Sequence, residues 1–240
     1  MNELLTPENG IALLTLTALE IVLGIDNIVF LSIITGGLPE EQRPLARRLG
    51  LALAMGMRIL LLFAISWVMG LTAPIFHMEL IDHTVTGRDL VLFGGGLFLL
   101  AKATVEIHKT LEGDDHGSHG KTRASMFAVL VQIALLDAIF SLDSVITAVG
   151  MADEIAVMIV AVVLAVGAMM IFATPVAEFV ERHPTVKMLA LSFLILVGVL
   201  LTAEGLGREI EKGYIYFAMA FSFAVEMLNL RIRKRSQARA

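Results

Sequence analysis

Two segments of the chain carry oxygen ligands where almost nothing else is polar. In 19-LEIVLGIDNIVF-30, Glu20, Asp26 and Asn27 interrupt the run Ile11–Ile34, 24 residues that are otherwise nearly all apolar. In 136-LDAIFSLDSVIT-147, Asp137, Asp143 and Ser144 do the same. A shift of 117 positions lays Leu19 on Leu136, Glu20 on Asp137, Asp26 on Asp143 and Asn27 on Ser144. An ionised carboxylate at the centre of a bilayer-spanning helix costs about 2.5–3.5 kcal/mol on insertion scales. Pairing with buried bases does not offset four of them, because Arg58 and Lys102 are the only basic residues well inside apolar runs. The matched acids therefore point to a pathway for a cation or a proton.

The donors are all oxygens: four carboxylates, the Asn27 amide and the Ser144 hydroxyl. All six histidines fall in loops or at the ends of apolar runs. Oxygen-only sites suit Mg²⁺, Ca²⁺ or Mn²⁺ rather than Zn²⁺ or Cu⁺. Met55, Met57, Met169 and Met170 offer a thioether that would favour Mn²⁺ over Mg²⁺, although packing or lipid contact is the commoner role of such methionines.

Spacing leaves two arrangements open. Residues six apart on a regular helix lie about 9 Å apart along the axis and roughly 120° apart around it, so Glu20 and Asp26 converge only if the helix bends. Gly24 lies between them, and its repeat partner Ser141 can bond back to its own helix and bend it. The other arrangement is two stacked sites, an access pair and a central pair. Asp26 and Asp143 are expected to face each other across the repeat axis and share one divalent cation, with Lys102 or Arg58 as candidates for a tethered cation in the empty site. Lys102 and Glu106 read as a structural (i, i+4) pair, Gln132 as a supporting contact for Asp137, and Glu204 and Glu226 as interfacial. The stretch 108-HKTLEGDDHGSHGKTR-123 reads as a polar linker rather than a metal trap.

The elements that must hold these residues are long apolar blocks. Of the 240 residues, 57% are apolar, and the mean hydropathy is +0.83. The blocks are Ile11–Ile34, Leu45–Leu71, Leu90–Ile107, Ala124–Gly150, Ile155–Val180, Met188–Ala203 and Tyr214–Leu230, and a span needs about 20 apolar residues. The expected fold is an all-α polytopic membrane protein with seven transmembrane helices, a 3+3 inverted-topology repeat plus a seventh helix. AMGMR (Ala54–Arg58) and AVGAM (Ala165–Met169) supply a second, weaker correspondence between the halves. Because each half has an odd number of spans, the second enters from the opposite side, which in transporters places the substrate site at the midplane between halves. The boundaries are repeat one at 10–109, a cytoplasmic linker at 110–122, repeat two at 123–206, and the seventh helix with its basic tail at 207–240.

The acidic N-terminus lacks a cleavable leader pattern, so the first span is expected to remain as an anchor. Cysteine is absent, which excludes disulfides and thiolate chemistry. With this topology 13 Lys and Arg residues fall on one side and three, Arg88, Arg208 and Lys212, on the other. The N-terminus is then expected outside and the C-terminus in the cytoplasm.

With both motifs in view, the sequence resembles the TerC family of integral membrane proteins, within the LysE-like superfamily of exporters. The features that carry the resemblance are LEIVLGIDNIVF (Leu19–Phe30), LLDAIFSLDSVITAVG (Leu135–Gly150), GGGLFLLAKATVEIH (Gly94–His108) and KGYIYFAMAFSFAVE (Lys212–Glu226). What the resemblance implies is Mn²⁺ export across the bacterial cytoplasmic (inner) membrane, as in its Alx-like branch, with Glu20, Asp26, Asp137 and Asp143 as the functional acids and Asn27 and Ser144 beside them. The expected partners are the divalent ion, protons as a candidate counter-ion, and the bilayer. Neither nucleic acid nor a prosthetic group is expected, and the oligomeric state stays open. The rival readings are a membrane factor that loads metal onto exported proteins and, remotely, an intramembrane aspartyl protease, whose usual Gly-x-Gly-Asp pattern is replaced by FSLDS around Asp143.

Overall fold

A computed structural model of the chain describes residues 7–79, 82–112, 125–149, 155–208 and 210–237, with the side chains of 7–8, 22–23, 25–26, 65–66, 143–149, 212 and 236–237 outside that description. Helix α1 spans Pro7–Thr35, α2 Arg43–Phe63, and α3 Ile65–Gly70 after a one-residue break at Ala64. An antiparallel hairpin follows, β1 (Pro74–Met78) with β2 (His83–Thr86). The rest is helical: α4 (Gly87–Glu112), α5 (Met126–Val149), α6 (Ile155–Arg182), α7 (Pro184–Glu204) and α8 (Lys212–Gln237).

The composition of these helices explains why they form and where they lie. Prolines stand at the first position of α1 and α7 and the second of α2, where a missing N–H costs nothing. Gly87–Glu112, Ile155–Arg182, Pro184–Glu204 and Gly213–Arg235 are each long and apolar enough to cross a membrane, and α1 and α5 add apolar stretches over Asn9–Ile21 and Met126–Leu142. Large apolar side chains such as Leu14, Phe63, Phe127, Ile171 and Phe217 stand on the outside. That surface suits hydrocarbon rather than water. The chain is an α-helical integral membrane protein.

The helical fold carries one addition, a hairpin over 74–86 whose Ile75, Phe76, Thr84 and Val85 suit strands. Of the two arrangements left open for the acids, an unwound turn at Gly24 or Ser141 is not seen: α1 and α5 run unbroken through both. Among the described residues, the break between consecutive helices within an apolar block lies at Ala64, and α6 carries Pro175 in its interior. Glu106 also pairs with Lys109, at 3.9 Å, rather than with Lys102.

Packing is selective. Helix α1 packs mainly on α6, α5 mainly on α2, α2 also on α6, and α4 on α7, while α8 packs mainly on α7. The α4–α7 crossing is close because Gly96 and Gly198 meet there. A Cβ on Gly96 would lie 2.4 Å from Thr202 Oγ1 and 2.7 Å from the Gly198 carbonyl oxygen, and one on Gly198 would lie 3.0 Å from Leu100 Cγ. Small residues at such crossings let helices in lipid gain contact. The core that results runs through Leu31, Leu62, Leu99, Leu136, Ala165 and Leu191.

Candidate functional site

On α2, the residues Arg47, Gly50, Leu51, Ala54, Arg58, Leu61 and Leu62 are buried, a stripe at helical spacing that faces the bundle interior. Toward its C-terminal end stands Arg58, 3% exposed. A guanidinium so placed must find anions or pay several kcal/mol for its desolvation. It finds two. Arg58 Nη1 donates to Glu20 Oε2 on α1, and on the other side Nε and Nη2 reach Asp137 Oδ1 on α5 at 3.3 and 3.2 Å.

Asp137 is held further. Asn27 Nδ2 donates to its Oδ1 at 3.4 Å and Ser141 Oγ to its Oδ2 at 3.0 Å. Asn27 is seven residues from Glu20 and Ser141 four from Asp137, so each pair shares a face of its continuous helix. Glu20 and Asp137 are buried, at 6% and 4% exposure, and Ser141 completely so. One guanidinium set against two carboxylates leaves a formal surplus of one negative charge.

Beside this cluster lies a cavity of about 30 Å³, lined by Asn27, Phe30 and Leu31 of α1, Gly50, Leu51, Ala54 and Arg58 of α2, Ile133, Leu136 and Asp137 of α5, and Val166 and Met169 of α6. It has room for a water or a dehydrated ion, and four helices from both halves of the chain form its wall. Met169 is the one of the four methionines singled out in the sequence that lines it. Its Sδ would lie 2.4 Å from a Cβ on Gly24, so that glycine provides a seat for the methionine.

Of the residues named from the sequence, the structure brings together Glu20, Asn27 and Asp137. The side chains of Asp26, Asp143 and Ser144 lie outside the described residues, as does the histidine-bearing segment 113–124. Among the described residues no cluster of three or more His, Asp or Glu side chains is arranged to hold a metal ion. Two participants were not among the predicted ligands. Ser141 could have been found from its (i, i+4) spacing to Asp137, and Arg58 stands here as the ion partner of both acids. A second buried polar group was missed altogether. Arg47, 3% exposed, donates to Glu181 Oε1 at 2.8 Å and reaches Thr35 Oγ1 at 3.4 Å, while Arg43 bonds the carbonyls of Gly36 and Leu38 at 3.0 Å each. This clasp joins the C-terminal ends of α1 and α6 to the start of α2, and its sequence signal was the presence of Arg47 in phase with Arg58.

The family model described as integral membrane protein TerC family matches residues 5–240. The chain belongs to the TerC family. This TerC-family chain is 57% identical over 231 residues to the UPF0053 inner membrane protein YgdQ of Escherichia coli, covering 96% of each. It is 56% identical over 229 residues to a UPF0053 protein of Haemophilus influenzae, covering 95% of this chain and 96% of that one. With the UPF0053 inner membrane protein YoaE of Escherichia coli the identity is 51% over 98% of this chain but only 45% of the longer relative. No solved structure matches.

Proposed function

We propose that this TerC-family chain is a divalent-metal transporter that exports Mn²⁺ from the cytoplasm by alternating access, with Ca²⁺ and Mg²⁺ as the competing hard ions. The observation that carries the reading is the convergence of Glu20 and Asp137, residues at matched positions in the two acidic segments, on one buried point beside a cavity. Two carboxylates and the Asn27 amide form an all-oxygen ligand set for such a cation, and Met169 Sδ on the cavity wall offers the softer donor that distinguishes Mn²⁺ from Mg²⁺. Asp26, Asp143 and Ser144 belong to the proposed pathway through their positions in the motifs.

The packing pattern supports the 3+3+1 reading, with repeat one over 10–109 and repeat two over 123–206. Exchanging α1 with α5, α2 with α6 and α4 with α7 maps the α1–α6 pairing onto α5–α2 and leaves α4–α7 and α2–α6 unchanged. The exchange also holds at residue level, where Gly96 meets Thr202 as Gly198 meets Leu100. A site between halves related in this way is where an inverted-repeat transporter binds its substrate. A catalytic dyad of two acids sharing a proton is disfavoured, because Glu20 and Asp137 share Arg58 instead.

Flux into inside-out proteoliposomes, compared for Mn²⁺, Ca²⁺, Mg²⁺ and Zn²⁺, tests the proposal. Saturable Mn²⁺ uptake exceeding that of Zn²⁺ is the expected result. Binding without flux would favour the metal-loading role, and neither binding nor flux would end the metal reading.

A further inference from the structure

We infer that Arg58 is a resident counter-cation, which occupies the carboxylates of Glu20 and Asp137 when no metal is bound and withdraws when one arrives. The inference rests on the transport reading above and deepens it. It begins with lone pairs. An ionised carboxylate offers about four acceptor positions, and Asp137 already accepts from Arg58 Nε, Arg58 Nη2 and Asn27 on Oδ1 and from Ser141 on Oδ2. Three of these four bonds fall on Oδ1, so a metal ion that takes this oxygen must displace the guanidinium from it. Arg58 and the dication compete for Asp137 Oδ1 and for the same negative charge.

Side chains on a helix lean toward its N-terminus, over the residue four positions earlier. For Arg58 that residue is Ala54, with Gly50 one turn further on, and both line the cavity beside the guanidinium. Leu31 and Ile133 pack closely over Gly50, so the withdrawal of Arg58 along its own helix requires these flexible side chains to shift. The other half supplies a contrast. Arg58 and Met169 occupy equivalent places in AMGMR and AVGAM, and each packs on the partner acidic helix, Arg58 on Asp137 and Met169 on Gly24. Only one of the two equivalent positions is cationic, so the two acids share a single tethered charge.

This has a consequence for the cycle. With Arg58 in place the empty site carries a charge surplus of one rather than two, so the unloaded carrier returns through the low-dielectric interior without a second ion. Removing the arginine should separate two properties that ordinary damage would lower together. In Arg58→Gln, Mn²⁺ affinity of the purified full-length protein, measured by isothermal titration with MnCl2, is expected to rise at least tenfold because the competitor is gone. Net Mn²⁺ flux in proteoliposomes is expected to fall at least tenfold, while exchange of radioactive for unlabelled Mn²⁺ across the membrane persists, since exchange never requires the empty site to return.

Arg58→Lys covers the case in which the glutamine variant does not fold. An ammonium cannot span both carboxylates as the planar fork does, so affinity should rise by a few-fold and net flux should drop without loss of exchange. Unchanged or weaker Mn²⁺ affinity in a folded Arg58 variant, or parallel loss of net flux and exchange, overturns the inference while leaving the transport reading intact. If the wild-type protein neither binds nor moves Mn²⁺, Ca²⁺ or Mg²⁺, the transport reading itself falls.

Discussion

Asp137 and Glu20 hold matched places in the chain but not matched surroundings. Asp137 accepts hydrogen bonds from Arg58, Asn27 and Ser141, whereas Arg58 is the partner of Glu20 among the described contacts. Removing the charge at Asp137 therefore disturbs three neighbours and at Glu20 one. Asp137→Asn is expected to lower Mn²⁺ affinity by more than tenfold, and further than Glu20→Gln does. Ser141→Ala removes one hydrogen bond of about 1 kcal/mol and should cost roughly fivefold at most. Titration calorimetry on the three variants checks this order, and a Ser141→Ala as weak as Asp137→Asn would make the hydroxyl itself a ligand. The acids were legible in the sequence because an intramembrane charge is conspicuous against an apolar run. Their mutual partner was legible only as a candidate, since nothing local to Arg58 tells which of the four acids its helix will face. That is set by how α2 lies against α1 and α5.

The elements show the same limit from the other side. Helix positions follow from hydropathy, but the role of a glycine depends on what packs against it. Gly24 is a seat for a methionine; Gly96 sits in a run of three glycines and marks a close crossing of α4 and α7. The two should respond differently to a methyl group. In Gly24→Ala the clash is with the flexible end of Met169, which can shift, so a small loss of thermal stability is expected. In Gly96→Ala the new Cβ meets backbone atoms of α7, including Thr202 N at 2.6 Å, and neither helix can yield without separating. A destabilisation of about 1–3 kcal/mol, the usual cost of overpacking, should appear as a lower melting temperature in detergent. Equal tolerance at both positions would mean that α4 and α7 are not held together by this crossing. The clasp of α2 on α1 and α6 gives a milder case. Arg47→Ala leaves the half-exposed Glu181 with Arg43 at 3.5 Å, so about 1–2 kcal/mol is the expected loss.

At the scale of the whole molecule, the contacts define two opposite ends. One gathers the turn after α1, the start of α2 and the end of α6, joined by Arg43, Arg47 and Glu181. The other gathers the hairpin, the start of α4 and the end of α7, where His83 Nε2 lies 3.1 Å from Asp89 Oδ2 and Arg88 lies 4.0 Å from Glu204. Basic residues concentrate at the first end, with Arg43, Arg47, Arg48 and Arg182 there, and the positive-inside bias predicts that this end faces the cytoplasm. The absence of cysteine from the sequence makes the arrangement directly measurable. Glu41 and His77 are exposed, one at each end, so Glu41→Cys and His77→Cys each introduce a single reactive thiol. A membrane-impermeant maleimide applied to intact spheroplasts should label His77→Cys and spare Glu41→Cys until the membrane is opened. The reverse pattern would turn the molecule over and make the proposed exporter face the wrong way for a carrier loaded from the cytoplasm. Labelling of both from outside would break the two-ended arrangement, and with it the proposed opposed insertion of the halves.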